Sequence, residues 1–420
     1  MGNYLNPDNS KFQRAVNSDI YVDKTGLIKY TNRVINTMQA YVCVSRPRRF
    51  GKSMAADMLT AYYSRGCDSR ELFAGLEIAK DENFGGYLNK YDTVFLNVQE
   101  FLSRSSDVKE LIARIKQRVI RELTRQYPDV ELFDSTDLAE TMQDIYTESK
   151  CPFVLIIDEW DCIFHKDFIT DEDKKKYISF LSSLLKDKAY VLLSYMTGIL
   201  PIAKYSSGSE LNMFAEYTMV SEEKFSDAFG FTEAEVDMLY ARFLKNTGKP
   251  LLSRSGLKEW YDGYHAKGGE RIYNPRSVVM ALTNNNLGNY WTSSGPYDEI
   301  YYYIEKNVAG VRNDLALMVS GESVEAKVQE YAATSMELTT REEIFSAMVV
   351  YGFLSSEEGK VRIPNRELME RFDEMLQKEP SLGYVYRLAR ESKRMLEATL
   401  HGDTHVMEQI LEYAHNTETP

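Results

Sequence analysis

The sequence contains little cysteine, no long apolar run and no concentrated block of basic residues. Its four cysteines, among 420 residues, form no C-x-x-C pair, which argues against a disulfide framework and favours a reducing cytoplasm. The most apolar stretch, residues 189–203, is shorter than a bilayer-spanning helix needs. No basic-then-apolar leader opens the chain. We therefore expect a cytoplasmic protein with no membrane partner.

The charge balance is acidic and evenly spread. Lys and Arg number 50 against 63 Asp and Glu, a net charge of −13. Strong nucleic-acid binding usually needs clustered positive charge, so we do not expect it from this chain alone. The length is sufficient for two or three domains with proper cores.

A strand, a basic loop and a helix follow one another near the N-terminus. The β-rich run Tyr41–Ser45 leads into the loop Arg46–Gly51, and Lys52-Ser53 opens a helical run. This is the context of a phosphate-binding loop, where N–H groups from Phe50 to Met54 and the helix dipole hold an anion. Lys52 is expected to reach the β- and γ-phosphates, and the Ser53 hydroxyl to bind Mg²⁺.

The loop departs from the general phosphate-loop motif. Arg46 stands five residues before Gly51, where the motif has glycine. Pro47 stiffens the turn, and the arginines of the loop can grip phosphates bidentately. The alternative is that one arginine binds the sheet or a neighbouring subunit. The expected nucleotide contacts are Arg46, Pro47, Arg48, Arg49, Phe50, Gly51, Lys52, Ser53 and Met54.

A second half of the site is expected more than a hundred residues further on. The apolar run Phe153–Ile157 predicts a buried parallel strand, and Asp158-Glu159 follows at its carboxyl end, where α/β sheets bind ligands. Asp158 would hold Mg²⁺, and Glu159 would activate the attacking water. Another buried strand, residues 190–198, ends at Thr197-Gly198, so Thr197 can contact the γ-phosphate or act as a turn residue.

The order of elements predicts an α/β fold with a parallel sheet in residues 1–220. Helices follow, beginning with residues 221–229, and a capping box of Thr232 and Glu235 opens the next one. We expect a helical lid over residues 221–296. Residues 297–420 are expected to be mostly helical with one β-hairpin near residues 352–363, an order that a winged helix and many other small α+β domains share.

Several motifs in order make the chain resemble the AAA-ATPase-like family of P-loop proteins. The motifs are Tyr21-Val22-Asp23-Lys24-Thr25, Arg46 to Ser53, Ile156-Ile157-Asp158-Glu159, Thr197-Gly198-Ile199-Leu200, Trp260-Tyr261-Asp262-Gly263-Tyr264 and Tyr273-Asn274-Pro275. The resemblance implies an ASCE-type sheet, Glu159 as the additional catalytic carboxylate, and ATP rather than GTP. Such proteins often carry a C-terminal nuclease of the PD-(D/E)XK type, for which we find no matching site here.

Two functions remain open from the sequence. The first is a Mg²⁺-dependent ATPase, regulatory or signalling in role, with Lys52, Glu159 and Thr197 as its catalytic residues. The second is a nucleotide-binding switch or scaffold that turns over little and acts as the partner of a nuclease. Either would work with a protein partner or with a second copy of the chain, and the sequence identifies neither.

Overall fold

The computed structural model describes residues 2–166, 168–202, 210–219, 224–266, 269–291, 304, 310–329, 338–377, 391, 394–396 and 398–416. The chain divides into two compact units. The first comprises residues 1–235 with 266–270, and the second comprises residues 236–265 with 271–420. The three-part division expected from the sequence stays a prediction.

A five-stranded parallel sheet forms the centre of the first unit. Its strands are β1 (Tyr41–Ser45), β2 (Asp92–Asn97), β3 (Phe153–Asp158), β4 (Val191–Gly198) and β5 (Ala215–Tyr217). Their spatial order is β2-β3-β4-β1-β5, so β4 separates the phosphate-loop strand from the strand that ends in Asp158. The parallel α/β sheet predicted from the sequence is confirmed.

Both faces of this sheet are buried, as the apolar runs of its strands require. Along β3, Phe153, Leu155 and Ile157 join one hydrophobic core, while Val154 and Ile156 join a second core on the opposite face. The helices of the first unit cover these faces. They are α1 (Ser10–Val16), α2 (Gly26–Val34), α3 (Lys52–Tyr63), α4 (Arg70–Phe73), α5 (Phe84–Tyr87), α6 (Val98–Leu102), α7 (Val108–Gln126), α8 (Leu138–Ser149) and α9 (Asp171–Leu185), with 3₁₀ turns at Glu77–Lys80 and Cys162–His165.

The second unit is mainly helical. Strand β6 (Phe231–Thr232) and the first residues of α10 (Glu233–Asn246) belong to the first unit, and the rest of α10 belongs to the second. The further elements of the second unit are α11 (Arg254–Tyr261), β7 (Tyr264–His265), β8 (Arg271–Tyr273), α12 (Pro275–Asn284), α13 (Val311–Val319), β9 (Val324–Glu325), α14 (Arg341–Tyr351), β10 (Ser355–Glu357), β11 (Lys360–Arg362), α15 (Arg366–Gln377) and α16 (Thr404–Asn416). The predicted hairpin is β10 with β11, joined by Glu358 and Gly359 at φ 49° and 77°. Positive φ at both positions is what a two-residue hairpin turn requires.

The helix predicted for residues 221–229 is wrong where the structure describes it. Residues 224–229 form turns, and Phe225 has a φ of 67°, a left-handed conformation that no α-helix accommodates. The capping box that follows is confirmed. The Thr232 N–H donates to Glu235 Oε2 at 2.8 Å, and the Glu235 N–H donates to Thr232 Oγ1 at 3.3 Å.

Among the described residues, no helix is both long enough and apolar enough to cross a membrane.

Candidate functional site

Polar residues from three neighbouring strands meet at the carboxyl edge of the sheet. In the strand register Asn97 pairs with Asp158, and Asp158 pairs with Thr197. On the other side of β4, Val44 pairs with Thr197, so the loop after β1 begins at the same edge. The fold therefore brings Lys52, Asp158 and Thr197 into one region, as the sequence predicts.

The phosphate loop uses left-handed backbone at two positions. Arg49 has a φ of 70°, and Gly51, which precedes the first residue of α3, has a φ of 94°. A Cβ placed on Gly51 would meet no atom within 4 Å, so the glycine is required by backbone conformation alone. This conformation turns the chain sharply into α3, whose first N–H groups have no intrahelical partner.

Lys52 is folded back onto its own loop. Its Nζ donates to the carbonyl oxygens of Arg46 at 2.8 Å and Pro47 at 2.9 Å, and the residue is only 8 % exposed. Burial lowers the pKa of Lys52 to about 8, although the nearby carboxylates of Asp161 and Asp158 act in the opposite direction. An anion bound at the loop would favour the ammonium form, so this lysine is suited to phosphate binding.

Arg46 points away from the loop's open face and into the protein. It is 2 % exposed, and its guanidinium donates to the carbonyl oxygens of Ser45 at 3.0 Å and Tyr217 at 2.8 Å. Longer contacts of 3.4 and 3.5 Å reach the carbonyls of Lys224 and Phe225. The Arg46 side chain therefore contacts the sheet, which is the alternative expected from the sequence, rather than facing a phosphate site.

The remaining loop residues differ in exposure. Pro47 is buried and Phe50 is 1 % exposed, so Phe50 packs inside as expected. Arg48 is half-buried and Arg49 is exposed. Ser53 and Met54 are also exposed at the start of α3. These last residues stay predictions as nucleotide contacts.

Asp158 is a buried carboxylate with one oxygen in use. Its Oδ2 accepts a hydrogen bond from Asn97 Nδ2 at 3.1 Å, whereas Oδ1 is buried and accepts none from the residues described. Burial raises the pKa of Asp158 to about 6, the Ser53 hydroxyl lowers it, and the Glu159 carboxylate raises it further. A buried oxygen without a partner is costly, and a cation with its water shell would satisfy it.

Thr197 presents a similar orphaned atom. It is fully buried at the end of β4, and its Oγ1 makes no hydrogen bond within the described part of the chain. The same residue was also a candidate for a turn or cap, in which its hydroxyl would bond to nearby backbone. Among the described residues it makes no such bond, so in this part of the chain the hydroxyl is open to a ligand.

Glu159 leaves β3 in a left-handed conformation. Its φ is 54°, and its side chain is half-buried. Non-glycine residues hold such backbone only when their surroundings fix it, and these positions concentrate at functional sites. The turn separates Glu159 from the buried strand and leaves its carboxylate partly exposed beside Asp158.

Two residues of this region were not found from the sequence. Asn97 ends β2 and donates a hydrogen bond to Asp158. The signal that could have identified it is its place as a polar residue directly after the strand-forming run Thr93–Leu96. Asp161 is 2 % exposed, and its Oδ2 accepts the N–H groups of Ile199 and Leu200, each at 2.8 Å. These two partners are backbone groups, which leave no signature in a sequence.

Comparison with known proteins finds a family match, a sequence relative and several distantly similar solved structures. Residues 10–207 match the family described as predicted AAA-ATPase. An uncharacterized protein from the vnfD 5′ region of Azotobacter chroococcum is 25% identical over 280 residues, which are 66% of this chain and 50% of that protein. The chain thus spans about half the length of that relative.

Solved structures are similar only at a distance. A Walker-type ATPase of Pyrococcus abyssi has a TM-score of 0.43 and 12% identity, over 83% of this chain and 94% of that one. The ORC2 protein of Aeropyrum pernix, in ADPNP and ADP complexes, has a TM-score of 0.37 and 12% identity, over 90% and 96% of the two chains. Such distant likeness assigns no activity.

Residues 10–207 are an AAA-ATPase-like P-loop domain. The family match supports this assignment, as do the strand order of the sheet and the phosphate loop, and it confirms the resemblance drawn from the motifs. At the level of the family, the domain is of the ATPase type.

Proposed function

We propose that the chain binds ATP with Mg²⁺ at the carboxyl edge of the sheet and hydrolyses it. The observation that carries the proposal is the pair of orphaned buried atoms, Asp158 Oδ1 and Thr197 Oγ1, on adjacent strands beside a phosphate loop. A hydrated cation would satisfy the first atom, and a phosphate oxygen would satisfy the second.

The phosphates would be held by the loop. Backbone N–H groups from Phe50 to Met54 lie at the start of α3, where the helix dipole favours negative charge. Lys52 would exchange its two carbonyl partners for phosphate oxygens, which compensate its charge better than carbonyl dipoles do. Arg48 and Arg49 would add contacts from the outer side of the loop.

The residues present fit Mg²⁺, although the ion is a proposal. Ser53 would ligate it directly and Asp158 through the ion's water shell, an all-oxygen set of the kind that Mg²⁺ prefers. When bound, the ion would neutralise charge on the phosphate oxygens.

Hydrolysis would depend on Glu159 and Thr197. The Glu159 carboxylate, held at the end of β3, would orient a water molecule and accept its proton. The Thr197 hydroxyl would donate a hydrogen bond to the γ-phosphate, so the site would distinguish ATP from ADP. Catalysis of this kind consists mainly of positioning and charge stabilisation.

The role of the ATPase is proposed to be regulatory, with an unidentified protein or a second copy of the chain as its partner. The resemblance to regulatory P-loop proteins supports this role. A nucleotide-binding switch with little turnover is the alternative, and the experiment below separates the two.

The test is ATP binding and phosphate release for three proteins. The wild type should bind and release phosphate, Lys52→Ala should lose binding, and Glu159→Gln should bind ATP without turnover, because the amide keeps the shape but cannot take a proton. Unchanged ATP affinity in Lys52→Ala would refute the phosphate loop. Normal phosphate release by Glu159→Gln would refute the role of Glu159, and binding without turnover in the wild type would favour the switch.

A further inference from the structure

The buried carboxylate of Asp161 ties two segments of the site together. Asp161 follows Glu159 by two residues, and its Oδ2 accepts both the Ile199 and the Leu200 N–H at 2.8 Å. Those two residues come directly after Thr197-Gly198. One oxygen atom therefore fixes the backbone after Thr197 to the turn that carries Glu159.

Trp160 and Gly198 complete the same contact. The backbone N–H of Trp160 donates to the Thr197 carbonyl at 3.1 Å, so the backbone is held at Thr197 itself and at the two residues after Gly198. A Cβ on Gly198 would lie 2.6 Å from both Asp161 Oδ1 and Trp160 Nε1. Real Cβ atoms do not approach so closely, so only glycine permits this packing.

We propose that Asp161 is a positioning residue that holds the Thr197 hydroxyl in place for the γ-phosphate. The proposal rests on the proposed function and adds a part to it. A group that distinguishes two nucleotides must be held to about 0.5 Å, which requires support from residues behind it. The Asp161 contacts supply that support, and they link it to the turn of Glu159.

The charge of Asp161 and its positioning role predict opposite effects of its removal on ATP binding. Asp161 lies near Lys52, and a carboxylate there weakens anion binding by simple electrostatics. Asp161→Ala would therefore tighten nucleotide binding if charge were its only contribution. A selective loss of ATP binding can arise only through position.

The experiment measures affinity for ADP and for a non-hydrolysable ATP analogue, each with Mg²⁺, by calorimetry. The wild type should prefer the analogue. Asp161→Ala should lose about tenfold or more of that preference, the scale of one hydrogen bond to a charged group, while ADP affinity stays equal or rises. Thr197→Val should lose the same preference, and the double variant should lose no more than either single one.

The controls address folding and local charge. Asp171→Ala removes a carboxylate whose side chain is 69% exposed on α9, and it should bind both nucleotides as the wild type does. Asp161→Asn keeps an oxygen that can accept the two N–H groups, so it should recover part of the preference. If the alanine protein does not fold, Asp161→Ser takes its place, because the shorter serine side chain cannot reach both N–H groups as the aspartate does.

The outcomes separate this proposal from the proposed function. An Asp161→Ala protein, or the Asp161→Ser protein that replaces it, that keeps the full preference while Thr197→Val loses it overturns the role of Asp161 alone. Additive losses in the double variant overturn it as well, because two independent groups would then be involved. A wild type that binds neither nucleotide overturns both proposals.

Discussion

Replacing Arg46 by methionine distinguishes a phosphate ligand from a structural strut. The structure places the Arg46 guanidinium on backbone carbonyls of Ser45 and Tyr217, and over the Phe229 ring at 5.4 Å. A strut of this kind contributes to stability with no nucleotide present. A phosphate ligand would contribute only when nucleotide is bound.

The size of the effect follows from the two shorter bonds. Loss of the guanidinium leaves two carbonyl acceptors without these donors, at about 1–3 kcal/mol each. Methionine fills much of the vacated volume, and the variant no longer has to bury a charged guanidinium. Both effects recover part of the lost stability. We therefore expect Arg46→Met to lower the free energy of unfolding by about 2–4 kcal/mol.

Urea denaturation of the nucleotide-free protein measures this loss directly. The matched control is Arg48→Met, which changes a half-buried arginine of the same loop and should alter unfolding much less. The strut is refuted if Arg46→Met unfolds like the wild type without nucleotide but loses the stabilisation that ATP provides. That result would restore Arg46 as a phosphate ligand.

Three further predictions concern the same edge of the sheet. The pKa of Lys52 is about 8 in the free protein, and a bound phosphate would raise it. Nucleotide binding should therefore take up about half a proton at pH 8, and affinity should fall about tenfold from pH 7 to pH 9. Calorimetry in buffers of different ionisation enthalpy measures the proton uptake, which Lys52→Arg should abolish. Gly51→Ala should destabilise the chain by about 1–2 kcal/mol through its φ of 94° alone, and an alanine protein of unchanged stability in urea would contradict the strain argument. Asn97→Ala removes an amide that donates to Asp158 Oδ2 and lowers the pKa of that carboxyl. As the pH is lowered, Mg²⁺-dependent ATP binding by this variant should therefore weaken at a higher pH than binding by the wild type does. An unchanged pH profile would count against the contact.

The sheet of the first unit could be predicted because its strands are self-evident in the sequence. A strand buried on both faces reads as an almost continuous apolar run, and the run Phe153–Ile157 lies within the observed strand Phe153–Asp158. The order of the strands in the sheet could not be read from the apolar runs, because such runs do not show which strands are neighbours. It was available only through the resemblance to a known family.

The role of Asp161 could not be predicted, and that of Arg46 only as one of two alternatives, both for one physical reason. Both side chains bond to backbone groups: Arg46 to the carbonyl of Tyr217, and Asp161 to the N–H groups of Ile199 and Leu200. Every residue but proline offers the same two backbone groups. Such a partner is therefore invisible in a sequence, whereas the neighbouring polar side chains of Asp158 and Thr197 could be anticipated from their places at strand ends.

Residues 224–229, where a helix was predicted wrongly, take part in the same contact with Arg46. The carbonyls of Lys224 and Phe225 face the Arg46 guanidinium at 3.4 and 3.5 Å, and an α-helix would use such carbonyls for its own bonds. The left-handed Phe225 turns the chain instead. A local pattern favoured a helix, and a distant arginine offers the carbonyls another donor.

Nucleotide binding would act on this network through Lys52. Its Nζ now bonds to the carbonyl of Arg46, and it must release that carbonyl to reach a phosphate. The side chain of Arg46 contacts the carbonyls of Tyr217, Lys224 and Phe225. The Gly230 N–H donates to the Phe50 carbonyl at 3.2 Å. The loop is thus joined at both ends to the segment that leads into α10. Movement of Lys52 would therefore act on a loop that is hydrogen-bonded to Gly230, three residues before α10 begins.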